Sequence, residues 1–231
     1  MRVIIQCAAS KQPSAGKLRT QSGAEVFFVA NPELCPSVPL GVRYVRPDDI
    51  CEDNAITWRE VIQRYNEDGK NPFNLCRAGD LYLHRVYRLL TGAFGWQNVF
   101  ILSAGWGLVR SDFLIPDYDI TFTGQAKKEN PCAWRNAKNA IRSWSDFNHL
   151  RDLEIAPYES IHLFGSKAYL PTFYELAESV SCDKFVVHHK GKHTPLRGFE
   201  YIEFMGRAIT NWHYPAATLF VDAHRKAESK Q

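Results

Sequence analysis

The sequence predicts a three-layer α/β protein in which a mostly parallel central sheet carries helices on both faces. Segments with strand character alternate with segments of helical periodicity along the 231 residues, a pattern typical of parallel strands joined by helical crossovers. The hydrophobic fraction of 45% is enough for a packed core. The length fits one α/β domain. We therefore predict a single domain over residues 1–231, with a flexible polar tail at 225–231.

Five apolar segments predict the strands of the sheets. The strongest is the Val-Phe-Ile-Leu run at 99–102, because a short apolar run bounded by turn residues is typical of a buried strand. Four prolines between residues 32 and 47 predict an irregular connection after the second strand. The predicted strands lie at residues 3–7, 25–30, 98–104, 160–164 and 184–188.

Four further segments have the apolar spacing of amphipathic helices. The clearest is the segment at 77–94, and either Asn54 or Thr57 is placed to cap the helix that begins at residue 57. The predicted helices lie at residues 57–68, 77–94, 133–150 and 169–179.

Ligands of open α/β sheets bind at the carboxyl ends of the strands. In this sequence the rule selects three loops, at residues 8–11, 103–107 and 165–169. The second loop is followed by Pro-Asp-Tyr-Asp at 116–119, which brings carboxylates close to it. These segments are where we expect the functional site.

Asp119 and Asp117 are the candidate catalytic residues. In an extended segment they point to the same side, since the side-chain period of a strand is two, and paired carboxylates raise one another's pKa. Asp119 is the first choice because it enters the apolar run that follows it. A fixed carboxylate activates water or stabilises a developing sugar cation. The alternative is that one aspartate caps a local turn and the other is solvated.

The same loops supply candidate pocket residues: glycines that let the backbone approach a ligand, hydroxyls, a lysine and aromatic rings. Two of them have a second interpretation, since Cys7 is either a nucleophile or a buried core residue, and Tyr169 either stacks on a base or packs in the core. The predicted pocket residues are Cys7, Ser10, Lys11, Ser103, Gly105, Trp106, Gly107, Tyr118, Phe122, Gly165, Ser166 and Tyr169.

Positive charge is concentrated in one segment. The net charge is only +3, yet residues 184–197 alone carry three lysines and one arginine. Such a patch suits a phosphate backbone, and the alternative is a solvated loop. The predicted contacts to DNA phosphates are Lys190, Lys192, His193 and Arg197.

The six cysteines contain no Cys-x-x-Cys pair, so no zinc ribbon or thioredoxin-like motif is supported. Their scatter is typical of reduced thiols in a cytoplasmic protein. No metal site and no cofactor is predicted. No segment approaches the ~20 apolar residues of a membrane span, and no obligate protein partner is evident.

One combination of motifs resembles a known family. It consists of Ile-Leu-Ser-Ala-x-x-Gly-Leu-Val at 101–109 with Tyr118 and Asp119, together with Cys7, Lys11 and the Gly-x-x-x-Tyr at 165–169. This pattern is similar to that of small bacterial and phage-linked domains related to the peroxide-stress protein YaaA, which look like distant relatives of the uracil-DNA glycosylase superfamily. The water-activating Gly-x-Asp-Pro-Tyr and the His-Pro-Ser-Pro loop of true uracil-DNA glycosylases do not occur here.

The resemblance implies a uracil-DNA-glycosylase-like fold and a DNA glycosylase that removes a modified base, as the Brig-type phage-defence glycosylases do. Trp106, Phe122 or Tyr169 would then stack on the extruded base. Two alternatives stay open. One is an enzyme acting on the N-glycosidic bond of free nucleosides or nucleotides, resembling a deoxyribosyltransferase. The other is a DNA-binding module without catalysis.

Overall fold

The computed structural model describes residues 1–51, 55–139, 143–151, 153, 159–190, 196–207 and 210–230. Seven of the described strands form one sheet: β1 (Arg2–Gln6), β5 (Val99–Ser103), β6 (Gly107–Arg110), β9 (Phe147–Asn148), β10 (Ser160–Phe164), β11 (Asp183–His188) and β12 (Glu200–Glu203). Their order across the sheet is β12-β11-β10-β1-β5-β6-β9. Neighbouring strands are parallel except β5 and β6, which form a hairpin. The predicted α/β class and its mostly parallel sheet are confirmed.

Two smaller sheets and six helices complete the described fold. A parallel sheet in the order β3-β2-β8 is formed by β2 (Glu25–Val29), β3 (Val42–Val45) and β8 (Tyr118–Asp119). The antiparallel pair consists of β4 (Cys76–Arg77) and β7 (Leu114–Ile115). The helices are α1 (Trp58–Glu67), α2 (Ala78–Leu81), α3 (Val86–Phe94), α4 (Ala126–Glu129), α5 (Leu170–Ala177) and α6 (His213–Glu228).

Burial explains why the sheet forms where the apolar runs predict it. All five residues of β5 are fully buried, as are the three central residues of β1, so both faces of these strands are covered. On one face α3 and α6 pack against each other, and Phe220 of α6 contacts the rings of His162 and Phe164. Helix α3 belongs to the connection from β1 to β5, whereas α5 joins β10 to β11, which lies toward the other edge of the sheet. The right-handed crossover rule therefore assigns α5 to the other face.

The start of α1 is fixed by a capping box. Thr57 accepts the backbone N–H of Glu60 on its hydroxyl oxygen, and the Glu60 carboxylate accepts the backbone N–H of Thr57 at 2.7 Å. Thr57 is therefore the N-cap, which is one of the two residues that the sequence offers. The other, Asn54, lies outside the described residues.

The helix predicted at 77–94 is interrupted, because α2 ends at Leu81 and α3 begins at Val86. Between them Tyr82 adopts an extended backbone with ψ of 137°. Its side chain is fully buried, and its hydroxyl lies 2.8 Å from that of Tyr118. The tertiary contact of Tyr82 therefore overrides the helical spacing of the segment.

The prediction of a helix at 133–150 is wrong for residues 133–139 and 144–150. Residues Ala137–Asn139 form one turn of 3-10 helix, and β9 follows at Phe147–Asn148 and pairs with β6. Arg135 and Asp146 are drawn together into a buried ion pair. Apolar spacing alone does not show either interaction.

Several elements are absent from the sequence prediction, among them β3, β6, β12 and α6. Strand β3 lies inside the proline-rich connection. It has four residues, of which three are half-buried and one is buried. Helix α6 is longer than any other described helix, and it runs to Glu228, inside the segment predicted as a flexible tail. Its hydrophobic stripe is narrow, with four buried residues, which explains why periodicity did not reveal it.

Candidate functional site

A cleft of about 310 Å³ opens at the carboxyl end of β1, next to the end of β8. Four segments line it: the loop after β1, the residues that follow Tyr118, the short helix α4, and the turn before α5. This is the position at which parallel α/β sheets bind ligands. The lining residues are Cys7, Ala8, Ala9, Lys11, Asp119, Ile120, Thr121, Thr123, Gln125, Ala126, Glu129, Asn130 and Tyr169.

Asp119 is the carboxylate of this cleft that strand pairing holds in place. It ends β8, and its backbone pairs with Val29 in β2. The preceding Tyr118 points into the core, so the strand period turns Asp119 outward to a half-buried position in the cleft. Asn130 donates a hydrogen bond from Nδ2 to Oδ2 of Asp119 over 2.9 Å. The carboxylate is thereby oriented while it stays open to a ligand.

Asp117 does not share this position. Its Oδ1 accepts the backbone N–H of the adjacent Tyr118 at 2.8 Å, and Asp117 is not among the residues that line the cleft. The expected pair of facing carboxylates is therefore not formed there. Asp117 has the local turn role that the sequence left open as an alternative.

Cys7 and Tyr169 form the floor of the cleft. The Sγ of Cys7 lies 3.2 Å from the hydroxyl of Tyr169, and Phe122 packs edge-on against the Tyr169 ring. Tyr169 is only 3% exposed, so it offers the cleft little surface on which a base could stack. Burial raises the pKa of Tyr169 well above its ordinary value, which keeps the group a neutral hydroxyl. The neutral Tyr169 hydroxyl hydrogen-bonds with Cys7, and the Phe122 ring packs against the Tyr169 ring.

Lys11 supplies a positive charge at the rim. Its ammonium lies 4.4 Å from the centre of the Tyr118 ring and donates to the carbonyl of Ala9, an arrangement typical of a cation–π contact. The neighbouring Ser10 is exposed, and its carbonyl accepts the N–H of Leu83. Ser10 is therefore outside the cleft.

The turn at 103–107 is buried and does not line the cleft, which corrects the prediction that it shapes the pocket. The Ser103 hydroxyl donates to the Tyr118 hydroxyl at 2.8 Å and accepts the backbone N–H groups of Gly105 and Trp106. Trp106 is 0% exposed and packs edge-on against Phe28. Trp106 therefore has no surface on which a base can stack, and Tyr118 is likewise a buried support.

Gly105 and Gly107 serve packing in this turn. A Cβ at Gly105 would lie 3.1 Å from side-chain atoms of Ile120 and Tyr118. At Gly107 the backbone φ is +84°, and a Cβ would lie 2.5 Å from the carbonyl oxygen of Phe147. Glycine at 107 is thus required by the β5–β6 hairpin and by its contact with β9.

A buried ion network, which the sequence did not predict, binds the backbone carbonyls of the same turn. Arg135 donates to the carbonyl of Ala104 at 2.7 Å, and Arg59 donates to the carbonyls of Gly105 and Trp106. Between the two guanidinium groups lies Asp146, whose side chain is 1% exposed. Burial raises the pKa of Asp146, and the two arginines oppose that change.

The basic segment is divided between two grooves. Lys190 lines one together with Ser166, whose backbone N–H donates to Oε1 of Gln6 at 2.6 Å. Arg197 lines the other, where Glu175 and Glu178 offset its charge. Lys190 and Arg197 therefore do not form one phosphate-binding patch. Lys192 and His193 lie outside the described residues.

Gly165, at the end of β10, is buried and stands outside both the cleft and the grooves. A Cβ there would make only ordinary contacts, at 3.6 Å or more. Steric crowding therefore does not require glycine at this position.

Sequence reasoning also missed polar residues of the cleft that follow Asp119. Thr121, Thr123, Gln125, Glu129 and Asn130 all line it. The signal was present in the density of hydroxyl and amide side chains between residues 121 and 130. These groups give the cleft several donors and acceptors in addition to its carboxylate.

Two cysteines correct the expectation of six free thiols. Cys35 and Cys132 form a disulfide, and the free cysteines are Cys7, Cys51, Cys76 and Cys182. The disulfide ties the turn after β2 to the segment that follows α4, which borders the cleft.

Two properties of the described residues bear on other kinds of site. No three histidine, cysteine, aspartate or glutamate side chains among them are grouped to hold a metal ion. None of the helices in the described part of the chain combines the length and the hydrophobicity needed to cross a membrane.

Fold and cleft together define an α/β protein with a carboxylate-bearing polar site at the carboxyl edge of its parallel strands. No family model matches the chain, and searches of curated proteins and of solved structures find no match. The resemblance to the YaaA-related domains thus rests on the motif residues alone.

Proposed function

We propose that the protein is a DNA glycosylase that hydrolyses the N-glycosidic bond of a modified nucleobase. The observation that carries the proposal is the Asp119 carboxylate, oriented by Asn130 in a cleft of about 310 Å³. That volume is at the lower end of the range for small-molecule sites, which suits a single extruded base with its sugar. Extrusion costs a few kcal/mol, and least for a base that is already unpaired.

The chemistry follows from the charge that develops on the sugar. As the bond from C1′ to the base nitrogen breaks, C1′ becomes oxocarbenium-like, and a fixed carboxylate stabilises it. A water molecule then forms the new C1′–O bond and gives a proton to Asp119. The base leaves with the bonding electron pair as an anion, which takes up a proton from solvent. Lys11 stabilises the departing anion or a neighbouring phosphate. The reaction requires neither a metal nor an organic cofactor.

The other polar groups of the cleft would select the base. The hydroxyls of Thr121 and Thr123, which line the cleft, can donate or accept at the edge of a base. A site that hydrogen-bonds a substrate group rejects analogues that lack it. The proposal includes a role in antiviral defence on the strength of the motif resemblance, and a cytoplasmic location on the scatter of the cysteines, four of which are free.

A second candidate is an enzyme that acts on free nucleosides or nucleotides. The size of the cleft and the net charge of +3 favour it, since neither demands a long polyanion. Salt distinguishes the two candidates. Duplex binding weakens with salt by a slope of about −0.9 per phosphate contacted, whereas binding of a nucleoside changes little. A DNA-binding module without catalysis is the third candidate, and it would not need Asp119.

The test is release of base from DNAs that carry ordinary and hypermodified bases, followed by mass spectrometry and by alkali-labile abasic sites. We expect release of one modified base, and a loss of about 10²- to 10⁴-fold in Asp119→Asn, the range for a missing acid–base group. Asp222→Asn, an exposed position on α6, is the matched control. Asp117→Asn is expected to retain activity.

Absence of release from every DNA, with tight salt-sensitive binding, would leave only the binding module. Release from free nucleosides but not from DNA would favour the second candidate. Full activity in Asp119→Asn would remove this residue from the mechanism.

A further inference from the structure

A second groove, of about 580 Å³, lies beside the cleft at the carboxyl ends of β10 and β11. It is lined by Ser166, Lys167, Ala168, His189, Lys190 and Trp212. Two lysines, a histidine and a tryptophan thus share one open surface. The proposed reaction leaves this surface without a role.

The charge of this groove is positive. Lys167 and Lys190 are exposed, and no described carboxylate forms an ion pair with either of them. The charge of Lys167 acts on the end of β11: burial lowers the pKa of His188, Glu203 opposes that change, and Lys167 and His189 add to it. An anion entering the groove would therefore meet two ammonium groups that no described carboxylate neutralises.

Trp212 provides an aromatic surface in the same groove. It is half-buried at the start of α6, with its ring 6.0 Å from that of His189 and 6.3 Å from that of Phe204. Phe204 and His189 are joined further, because His189 Nδ1 lies 3.0 Å from the Phe204 carbonyl oxygen. The tryptophan is thus packed on one side and still lines the groove.

The groove and the cleft are separated by one short loop. Ala168 lines the groove and the next residue, Tyr169, lines the cleft. Ser166 at the start of this loop is fixed to Gln6 of β1 by a 2.6 Å hydrogen bond. Strand β11 is two positions from β1 in the sheet, about 10 Å at the usual strand spacing. Even at the 3.4 Å rise of a stacked strand, about three nucleotides span this distance, so a nucleotide close to the target reaches the groove.

We infer that this groove binds a nucleotide flanking the target, with its phosphates on Lys167 and Lys190 and its base stacked on Trp212, and that the substrate is single-stranded DNA. The inference rests on the proposed function, whose substrate class it narrows. A positive groove with an aromatic platform is the arrangement by which proteins hold single strands. A base that stacks on Trp212 has left its own stack and its partner, which a duplex opposes.

The experiment measures fluorescence anisotropy of a labelled oligothymidylate, of its duplex with oligoadenylate, and of thymidine monophosphate. The variants are Lys167→Gln with Lys190→Gln, and Trp212→Leu, which keeps an apolar side chain for packing. The control Lys226→Gln removes one lysine charge from the other end of α6, ~20 Å away by the helical rise. Circular dichroism and thermal melting establish that each variant is folded.

We expect the single strand to bind more tightly than the duplex or the monophosphate. The double lysine variant should flatten the slope of log K against log salt by about 1.4, since each phosphate contact on a single strand contributes about 0.7. Trp212→Leu should weaken binding roughly 5- to 150-fold, the range for one lost base stack, with an unchanged salt slope. Lys226→Gln should match the unmodified protein.

Equal binding of duplex and single strand would overturn the inference, and so would an unchanged salt slope in the lysine variant or unchanged affinity in Trp212→Leu. Base release that persists beside any of these results would leave the proposed glycosylase intact. Conversely, the expected binding pattern without base release from any DNA would support the groove and defeat the glycosylase.

Discussion

Asn130 holds the Asp119 carboxylate from eleven positions further along the chain, through a hydrogen bond of 2.9 Å. Asp119 belongs to a strand, whereas Asn130 ends the short helix α4. The position of α4 therefore determines how the carboxylate faces the cleft. Asn130 is a positioning residue in the proposed reaction, since it acts through Asp119.

Asn130→Ala is expected to lower kcat and kcat/KM together by roughly fivefold to tenfold. The bond is exposed, so its contribution lies somewhat below the value of about 1.5 kcal/mol at which the range for hydrogen bonds to charged groups begins. Single-turnover base release measures it. If Asn130 acts only through Asp119, the double variant with Asp119→Asn is no slower than Asp119→Asn alone. Additive losses would instead indicate that Asn130 contacts the substrate.

Asp146→Asn is expected to destabilise the fold by about 3–5 kcal/mol. The carboxylate bridges the Arg135 and Arg59 guanidiniums, all three groups are buried, and removal of one partner leaves uncompensated charge in the core. Urea unfolding measures the loss. The matched control is Asp112→Asn, whose pair with Arg110 is partly exposed and should contribute less than about 1 kcal/mol. Equal losses in the two variants would contradict the role given to the network.

Apolar runs were sufficient to predict the centre of the fold. Strands β1, β5, β10 and β11 lie within a residue or so of their predicted positions, because strands buried on both faces are continuous apolar segments. The helix at 133–150 failed for a different reason. In that segment Asp146 forms ion pairs with Arg135 and with Arg59 of α1. A partner that is distant in the chain leaves no local pattern in the sequence.

The candidate site, like the fold, was predicted correctly only in part. Cys7, Lys11 and Asp119 reach the cleft because each follows or ends a strand at the carboxyl edge, which is a rule readable from sequence. The turn at 103–107 obeys the same rule but is closed. Its carbonyls are taken by Arg59 and Arg135, which lie 46 and 31 residues away in the chain. Occupancy by distant side chains is visible only in three dimensions.

Acid is expected to destabilise the protein through His213. Burial lowers the pKa of this histidine to about 4, and its Nε2 has no hydrogen-bond partner among the described residues. The unfolded value is about 6.5, so between these limits the unfolded chain binds a proton that the folded protein does not. Stability is therefore complete above about pH 6.5 and falls as the pH drops toward 4, by up to about 3 kcal/mol.

His213→Phe should remove that part of the pH dependence, as measured by urea midpoints at pH of about 7 and about 4.5. His162, whose pKa burial also lowers to about 4, leaves a residual slope that His162→Phe removes in turn. A His213→Phe protein that loses as much stability in acid as the unmodified protein would show that His213 is not the titrating group.

The Cys35–Cys132 disulfide is expected to contribute more to stability than to activity. It joins residues 97 positions apart, and closing a loop of that length corresponds to about 4–5 kcal/mol in the chain-entropy account. The same two segments are also joined by hydrogen bonds: the N–H groups of Ala30 and Asn31 donate to the Cys132 carbonyl at 2.9 Å, and the Asn31 amide donates to the carbonyl of Trp134. Those bonds remain after reduction, so the border of the cleft stays in place.

Cys132→Ser or a reductant should therefore lower the free energy of unfolding by about 4 kcal/mol while base release falls much less. Urea unfolding and single-turnover kinetics of the same samples compare the two effects. Cys182→Ser, a half-buried free cysteine, is the control and should alter neither. Thiol titration under denaturing conditions should find four free thiols before reduction and six after it. Six before reduction would show that the bond does not form in solution, and a parallel collapse of activity would show that the disulfide, rather than the hydrogen bonds, holds the border of the cleft.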